Sequence, residues 1–184
     1  VLHLALAALA AGQAVGVPTD TVYGIAARDP GVVVAIKGRG TEKPIAVLVA
    51  SLEQAEALAV FSEDDRILCR KHWPGPLTLV LPRQPGVDLG DDATETIGVR
   101  MPNHPLALRL LEAAGPLAVS SANRSEEPAA LDEVEAEAIF GAEVAVYLPG
   151  RSSLGRSSTV IDRRRHARLL RAGPLGDGID PTRK

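Results

Sequence analysis

Leu117-Ala118-Val119-Ser120-Ser121-Ala122-Asn123 reads as a strand that runs straight into a polar end. Three apolar residues of the kind buried inside a sheet lead into two hydroxyls and then an amide. Just upstream, residues 104–114 have helical spacing: Leu106, Leu110 and Leu111 face the core, and Gly115 ends the run. A helix feeding a buried strand is a unit of α/β architecture, and ligands gather at strand ends in open α/β sheets. Ser120, Ser121 and Asn123 therefore serve either a ligand or a helix cap. A serine nucleophile is the weaker reading, because no Gly-x-Ser-x-Gly surrounds these residues and no histidine partner is evident.

A second segment lies far upstream. Lys37-Gly38-Arg39-Gly40-Thr41-Glu42-Lys43-Pro44 puts three cations into seven residues and then a proline. It leads into the continuous apolar run 45–50, so these cations sit at the mouth of a sheet. The segment reads as a polyphosphate loop or as a solvated turn. It is not a Walker loop, since no Gly-Lys-Ser/Thr follows a glycine-rich stretch. If the fold brings the two segments together, cations supply charge and neutral donors supply orientation for a nucleotide.

The remaining chain alternates strand-like and helix-like runs, which predicts an α/β fold with a mixed sheet. Strands are expected at 14–18, 45–50, 77–81, 96–101, 117–121 and 144–148, with a hairpin pair at 158–161 and 168–171. Helices are expected before Gly12, after Ser51 with its capping-box spacing to Gln54, after Ser62, at 104–114 and at 132–140. Trp73-Pro74-Gly75-Pro76 breaks the chain, and Gly90-Asp91-Asp92 forms a turn. One domain over residues 1–175 is expected, with a frayed tail at 176–184.

Composition excludes some classes. The net charge of −3 argues against a generally basic nucleic-acid coat protein. Cys69 is the single cysteine, so no disulfide forms within the chain, and it reads as a half-buried helix residue. No apolar run is long enough for a membrane helix. The four histidines lack metal-ligand spacing, and no protein-held metal is expected.

Further polar groups stand where strands begin or end. Pro18-Thr19-Asp20-Thr21-Val22-Tyr23-Gly24 follows the first strand and reads as a ligand-orienting loop or as a polar turn with a helix cap. Arg100 lies inside an apolar strand and needs a partner: a ligand carboxylate or an internal acid. Ser158 lies at a hydroxyl-lined strand entrance, and Arg171 ends the last strand. Residues 163–165 read as a solvated hairpin tip, with RNA contact as the lesser alternative.

In order along the chain, residues 18–24, Lys37-Gly38-Arg39 with Lys43-Pro44, Trp73-Pro74-Gly75-Pro76-Leu77-Thr78, Val99-Arg100-Met101-Pro102, Ser121-Ala122-Asn123, Ser158-Thr159-Val160 and Leu170-Arg171-Ala172-Gly173 resemble the YrdC-like family, the threonylcarbamoyl-AMP synthases, in its short single-domain type. The resemblance spans about residues 14–173. It implies a twisted mixed α/β sheet with flanking helices around a deep cavity. It implies ATP-dependent synthesis of threonylcarbamoyl-AMP from L-threonine and bicarbonate, with release of pyrophosphate, a nucleotidyltransferase reaction. The product feeds tRNA modification next to the anticodon.

Carried onto this sequence, Arg39, Lys43, Thr96, Asn123 and Arg171 contact ATP. Thr21, Arg100, Ser121 and Ser158 hold threonine, and Lys37, Arg39, Ser121 and Asn123 form the catalytic tetrad. The resemblance further implies Mg²⁺ brought with ATP, downstream threonylcarbamoyl-transfer proteins, weak tRNA contact and a cytoplasmic location. Two alternatives share the fold: a carbamoyl-adenylate-forming carbamoyltransferase module and a non-catalytic RNA-binding protein. The sequence departs from the family pattern at Leu48, Leu131, Glu126 and Glu127, and between Gly24 and Lys37 it is shorter.

Overall fold

A computed structural model describes residues 1–38, 45–89, 95–125, 127–164 and 167–176. Arg39, Lys43, the turn at residues 90–92, and residues 177–184 of the expected tail lie outside the described residues. The elements follow in the order α1 (Leu2–Ala10), β1 (Val15–Val17), β2 (Gly24–Ala27), α2 (Pro30–Lys37), β3 (Ala46–Leu48), α3 (Leu52–Leu58) and α4 (Glu63–His72). Then come β4 (Leu77–Pro82), β5 (Thr96–Arg100), α5 (Pro105–Ala114), β6 (Leu117–Ser121), α6 (Glu133–Phe140), β7 (Val146–Tyr147), β8 (Thr159–Asp162) and β9 (Arg168–Arg171).

The described strands form one mixed sheet of order β7-β1-β2-β6-β3-β5-β4-β8-β9. Strand β6 is antiparallel to both neighbours, β2 and β3, while β3 and β5 run parallel. Alternate side chains of the inner strands pack on different helices. Ile25, Ala27 and Ala118 join the core under α2 and α6, whereas Ala26, Leu48 and Leu117 join the core under α1 and α5. A third core collects α3, α4 and strands β3, β4, β5 and β8 around Trp73, Leu77 and Leu79. Burial from two sides explains why these strands read as continuous apolar runs.

Most helix ends follow the sequence signals. Asp65 and Ser62 complete a reciprocal capping box at α4, and Asp132 caps α6. At α3 the box is shifted: Ser51 accepts from the Gln54 N–H, but the Gln54 side chain accepts from Ala50 rather than Ser51. Cys69 is buried in α4, which pushes its thiol up to about 12 and leaves it unreactive near neutrality.

Two expectations change. Gly24 opens β2, and a Cβ there would stand 2.7 Å from Val119 Cγ1. Residues 18–24 therefore lead into a strand, not a helix. Arg163 is not a solvated hairpin tip: its Nε donates to the buried Asp65 carboxylate at 2.6 Å. Arg164 binds Asp162 of its own hairpin, so neither arginine offers a free patch to RNA.

Candidate functional site

Strand pairing builds the site. Antiparallel pairing sets Gly24 opposite Ser121, so the loop before β2 meets the polar end of β6. On the other side of the sheet, β3 and β5 set Leu48 beside Arg100, and β8 and β9 set Val160 beside Arg171. Between them lies a cavity of about 500 Å³. Thr21, Thr96, Arg100, Ser121, Ser158 and Arg171 all line it. Apolar walls, including Leu48, Ile97, Val119 and Val160, complete it, the usual mixture of a small-molecule site.

Lys37 and Asn123 stand behind this wall. The Lys37 ammonium, 5% exposed, donates to the Ser121 carbonyl at 2.6 Å, to the Asn123 carbonyl, and to Asn123 Oδ1 at 2.8 Å. Ser121 Oγ also donates to Asn123 Oδ1, at 2.7 Å, and Asn123 Nδ2 donates to the Glu127 carbonyl. The cation near the amino end and the hydroxyl-amide cluster past mid-chain thus converge. The helix-cap reading of Ser120, Ser121 and Asn123 fails, since the next helix begins at Glu133 with its own Asp132 cap.

Arg100 settles its alternatives through an internal acid while still lining the cavity. It is 5% exposed and pairs with Asp20, which is 7% exposed. Nε donates to the Gly75 carbonyl at 3.0 Å and Nη1 to Thr21 Oγ1 at 2.8 Å. Burial pulls the Arg100 pKa below its ordinary value, and the Asp20 charge opposes that. Asp20 is held in turn by the Asn103 N–H at 3.0 Å. Three acceptors use three of the five guanidinium N–H groups, and one N–H on each of Nη1 and Nη2 remains to donate to a ligand carboxylate.

At the far wall, Arg171 binds the Ser158 carbonyl at 2.8 Å and its hydroxyl at 3.0 Å. Thr78 Oγ1 lies 2.7 Å from the same Ser158 hydroxyl. Thr19, Asp20 and Thr78 were not singled out as site residues from sequence, although they lie within the motifs at 18–24 and 73–78. The available signal was a buried partner for each assigned residue, which requires knowing the fold.

Gly173 holds this wall together by having no side chain. A Cβ there would meet Thr159 N at 2.3 Å and Ser157 O at 2.6 Å, both backbone atoms. Gly173→Ala must therefore displace segment 157–159 and with it Ser158. We expect a stability loss of about 1–3 kcal/mol in denaturant titration, with the KM for a substrate held by Ser158 raised at least roughly tenfold because hydrogen bonds to the ligand loosen.

Comparisons with known proteins fit this geometry. The structure superposes on the crystal structure of Pyrococcus abyssi Sua5 complexed with L-threonine with a TM-score of 0.85 and 34% identity, over 94% of this chain and 54% of that one. A Mycobacterium tuberculosis protein provisionally named threonylcarbamoyl-AMP synthase is 46% identical over 182 residues, 93% of this chain and 83% of the relative. The P. abyssi threonylcarbamoyl-AMP synthase is 38% identical over 172 residues, 88% of this chain and 50% of that protein. The family model Sua5/yciO/yrdC, described as telomere recombination, matches residues 7–173. The chain belongs to this family.

Proposed function

We propose that the chain joins L-threonine, bicarbonate and ATP into threonylcarbamoyl-AMP with release of pyrophosphate, as a nucleotidyltransferase, and so supplies the group placed on tRNA adenosine next to the anticodon. The observation that carries this reading is the convergence of Thr21, Arg100, Ser121 and Ser158 on one cavity. A family relative of similar fold is described as complexed with L-threonine.

In this reading Arg100 takes the threonine carboxylate, and the hydroxyls of Thr21, Ser121 and Ser158 read its amine and hydroxyl. Threonine's amine and bicarbonate give a carbamate with loss of water, and the carbamate carboxylate attacks the α-phosphorus of ATP with pyrophosphate as the leaving group. Two anions must approach in line, so the site has to cancel repulsion and fix geometry. Arg171 contributes charge from the cavity wall, with Thr96 nearby, while Arg39 and Lys43 belong to the loop outside the described residues. Lys37 acts by fixing the Ser121 and Asn123 carbonyls and the Asn123 side-chain Oδ1 rather than by touching phosphate. Mg²⁺ fits as the counter-ion of the triphosphate. The described cavity wall consists of hydroxyl, guanidinium and apolar groups, which suits the anion and leaves the metal to phosphate oxygens. When bound, Mg²⁺ neutralises charge on the triphosphate. No described helix is long and apolar enough to cross a membrane. In this reading, use of ATP and supply of a group for tRNA support a cytoplasmic setting, upstream of threonylcarbamoyl-transfer proteins.

The test is mass detection of threonylcarbamoyl-AMP after incubation with all three substrates, with each omitted in turn. Product is expected only with the complete set. Pyrophosphate release indifferent to threonine and bicarbonate, or driven by carbamoyl phosphate instead, refutes the reading. Lys37→Met strips the donor from the carbonyls of Ser121 and Asn123 and should cut kcat/KM at least roughly 100-fold, the cost of two or more lost charged hydrogen bonds.

A further inference from the structure

Thr19 is 3% exposed and lines the cavity, yet the reading above gives it no task. Its hydroxyl has one proton to give. That proton goes to the Val22 carbonyl at 2.7 Å, which can only accept. Thr19 Oγ1 and Thr21 Oγ1 are 3.0 Å apart. With the Thr19 proton committed, Thr21 is the donor in that pair. Arg100 Nη1 meanwhile donates to Thr21 Oγ1 at 2.8 Å. The hydrogen bonds therefore run one way, from Arg100 to Thr21 to Thr19 to the Val22 carbonyl. Thr21 has no proton left for the cavity and meets a ligand as an acceptor only.

The loop is braced against reversal. Thr19 N–H donates to Ser152 Oγ at 3.3 Å, and the carbonyls of Asp20 and Thr21 accept from the N–H groups of Leu154 and Gly155, each at 2.9 Å. Thr19 Oγ1 also accepts the Thr21 N–H at 3.2 Å, which holds the two threonines in register.

We propose that Thr19 is a positioning residue that sets the polarity of the amino-acid site: by taking the Thr21 proton it makes Thr21 an acceptor for the α-amine of a substrate whose carboxylate lies on Arg100. The inference deepens the threonine reading of the cavity and rests on it. In an α-amino acid a carboxylate oxygen and the α-nitrogen are close neighbours, as Arg100 Nη1 and Thr21 Oγ1 are here. Once the ammonium has given a proton to bicarbonate or solvent, an acceptor at the amine also leaves its lone pair free to attack carbon, where a hydroxyl donor would cap it.

The test compares L-2-aminobutanoate with 2-oxobutanoate, two acids of like size that differ in donor against acceptor at the α-position. Binding is read by ligand-observed NMR on the full chain. The wild-type protein should prefer the amino acid at least roughly tenfold, as one polarity-matched hydrogen bond to a charged group allows. Thr19→Val frees the Thr21 proton and should bring the ratio close to one, while Thr19→Ser should keep it. A mere loosening of the fold would weaken both acids together and leave the ratio unchanged. An unchanged ratio in Thr19→Val, or the same collapse in Thr19→Ser, overturns the proposal. So does wild-type protein that binds the oxo acid as well as the amino acid, or binds neither, which decides the matter even if Thr19→Val does not fold. Product formation from the three substrates is followed separately. Its absence alongside a strong amino-acid preference would sink the synthase reading and leave the polarity of the site standing.

Discussion

Arg100→Met is expected to lower the free energy of unfolding by about 3–5 kcal/mol, the cost of stranding one partner of a buried ion pair, and to abolish threonine-dependent pyrophosphate release. The cause is Asp20. Both side chains of the pair are over nine-tenths buried, at 7% and 8% exposure. Asp20 Oδ2 already lacks a hydrogen-bond partner among the described residues, so the carboxylate has little to fall back on when the guanidinium leaves. Methionine fills much of the arginine's volume, which separates the charge effect from a cavity effect. The double variant Asp20→Asn with Arg100→Met should recover most of the stability and none of the threonine dependence. Guanidinium titration and substrate-omission assays read the two effects independently. A single-variant cost below about 1 kcal/mol, the range of exposed pairs, would show that Asp20 reaches solvent when alone.

Asp65→Ala is the second large effect, and it should fall on stability alone. One carboxylate oxygen caps α4 through the Ser62 N–H at 2.9 Å and the Ser62 hydroxyl at 2.6 Å. The other holds Arg163, at the turn between β8 and β9, at 2.6 Å. Arg163 retains 12% side-chain exposure, so its charge reaches some water when the Asp65 carboxylate is gone. A loss of about 3 kcal/mol is expected, the lower end for a broken buried pair, with about 1 kcal/mol more from the cap. Asp65 is absent from the residues lining the cavity, so the threonine KM of protein that remains folded should not move. A KM shift as large as that of Gly173→Ala would mean that the β8–β9 turn is coupled to the substrate wall.

These two pairs show where sequence reading reaches its limit. Leu117–Ser121 was legible as a strand because its apolar run and polar end are local, and it is strand β6 at those bounds. Ser62, Gly115 and the apolar run at 77–81 were legible for the same reason. Strand β2 was not: Gly24-Ile25-Ala26-Ala27 is short and made mostly of small residues with weak strand preference. Arg163 was misread because its partner lies 98 residues away. Arg100 could be narrowed to two partners but not decided, since Asp20 is 80 residues off. The site residues came through resemblance and strand-end logic; what stayed hidden was the layer behind them, Thr19, Asp20 and Thr78. Those contacts exist only after the sheet assembles.

The order of strands also bears on synthesis of the chain. Among the described residues the cavity takes its first lining residue at Thr19 and its last at Arg171, on the last described strand. A nascent polypeptide emerging from the ribosome therefore lacks one side of the pocket until β9 is out, and pairing across such sequence distances is slow. A ligand stabilises only the states that bind it, so a chain that stops before the closing hairpin, and so lacks Arg171 against Ser158, should gain less from free amino acid than the chain with both sides of the pocket in place.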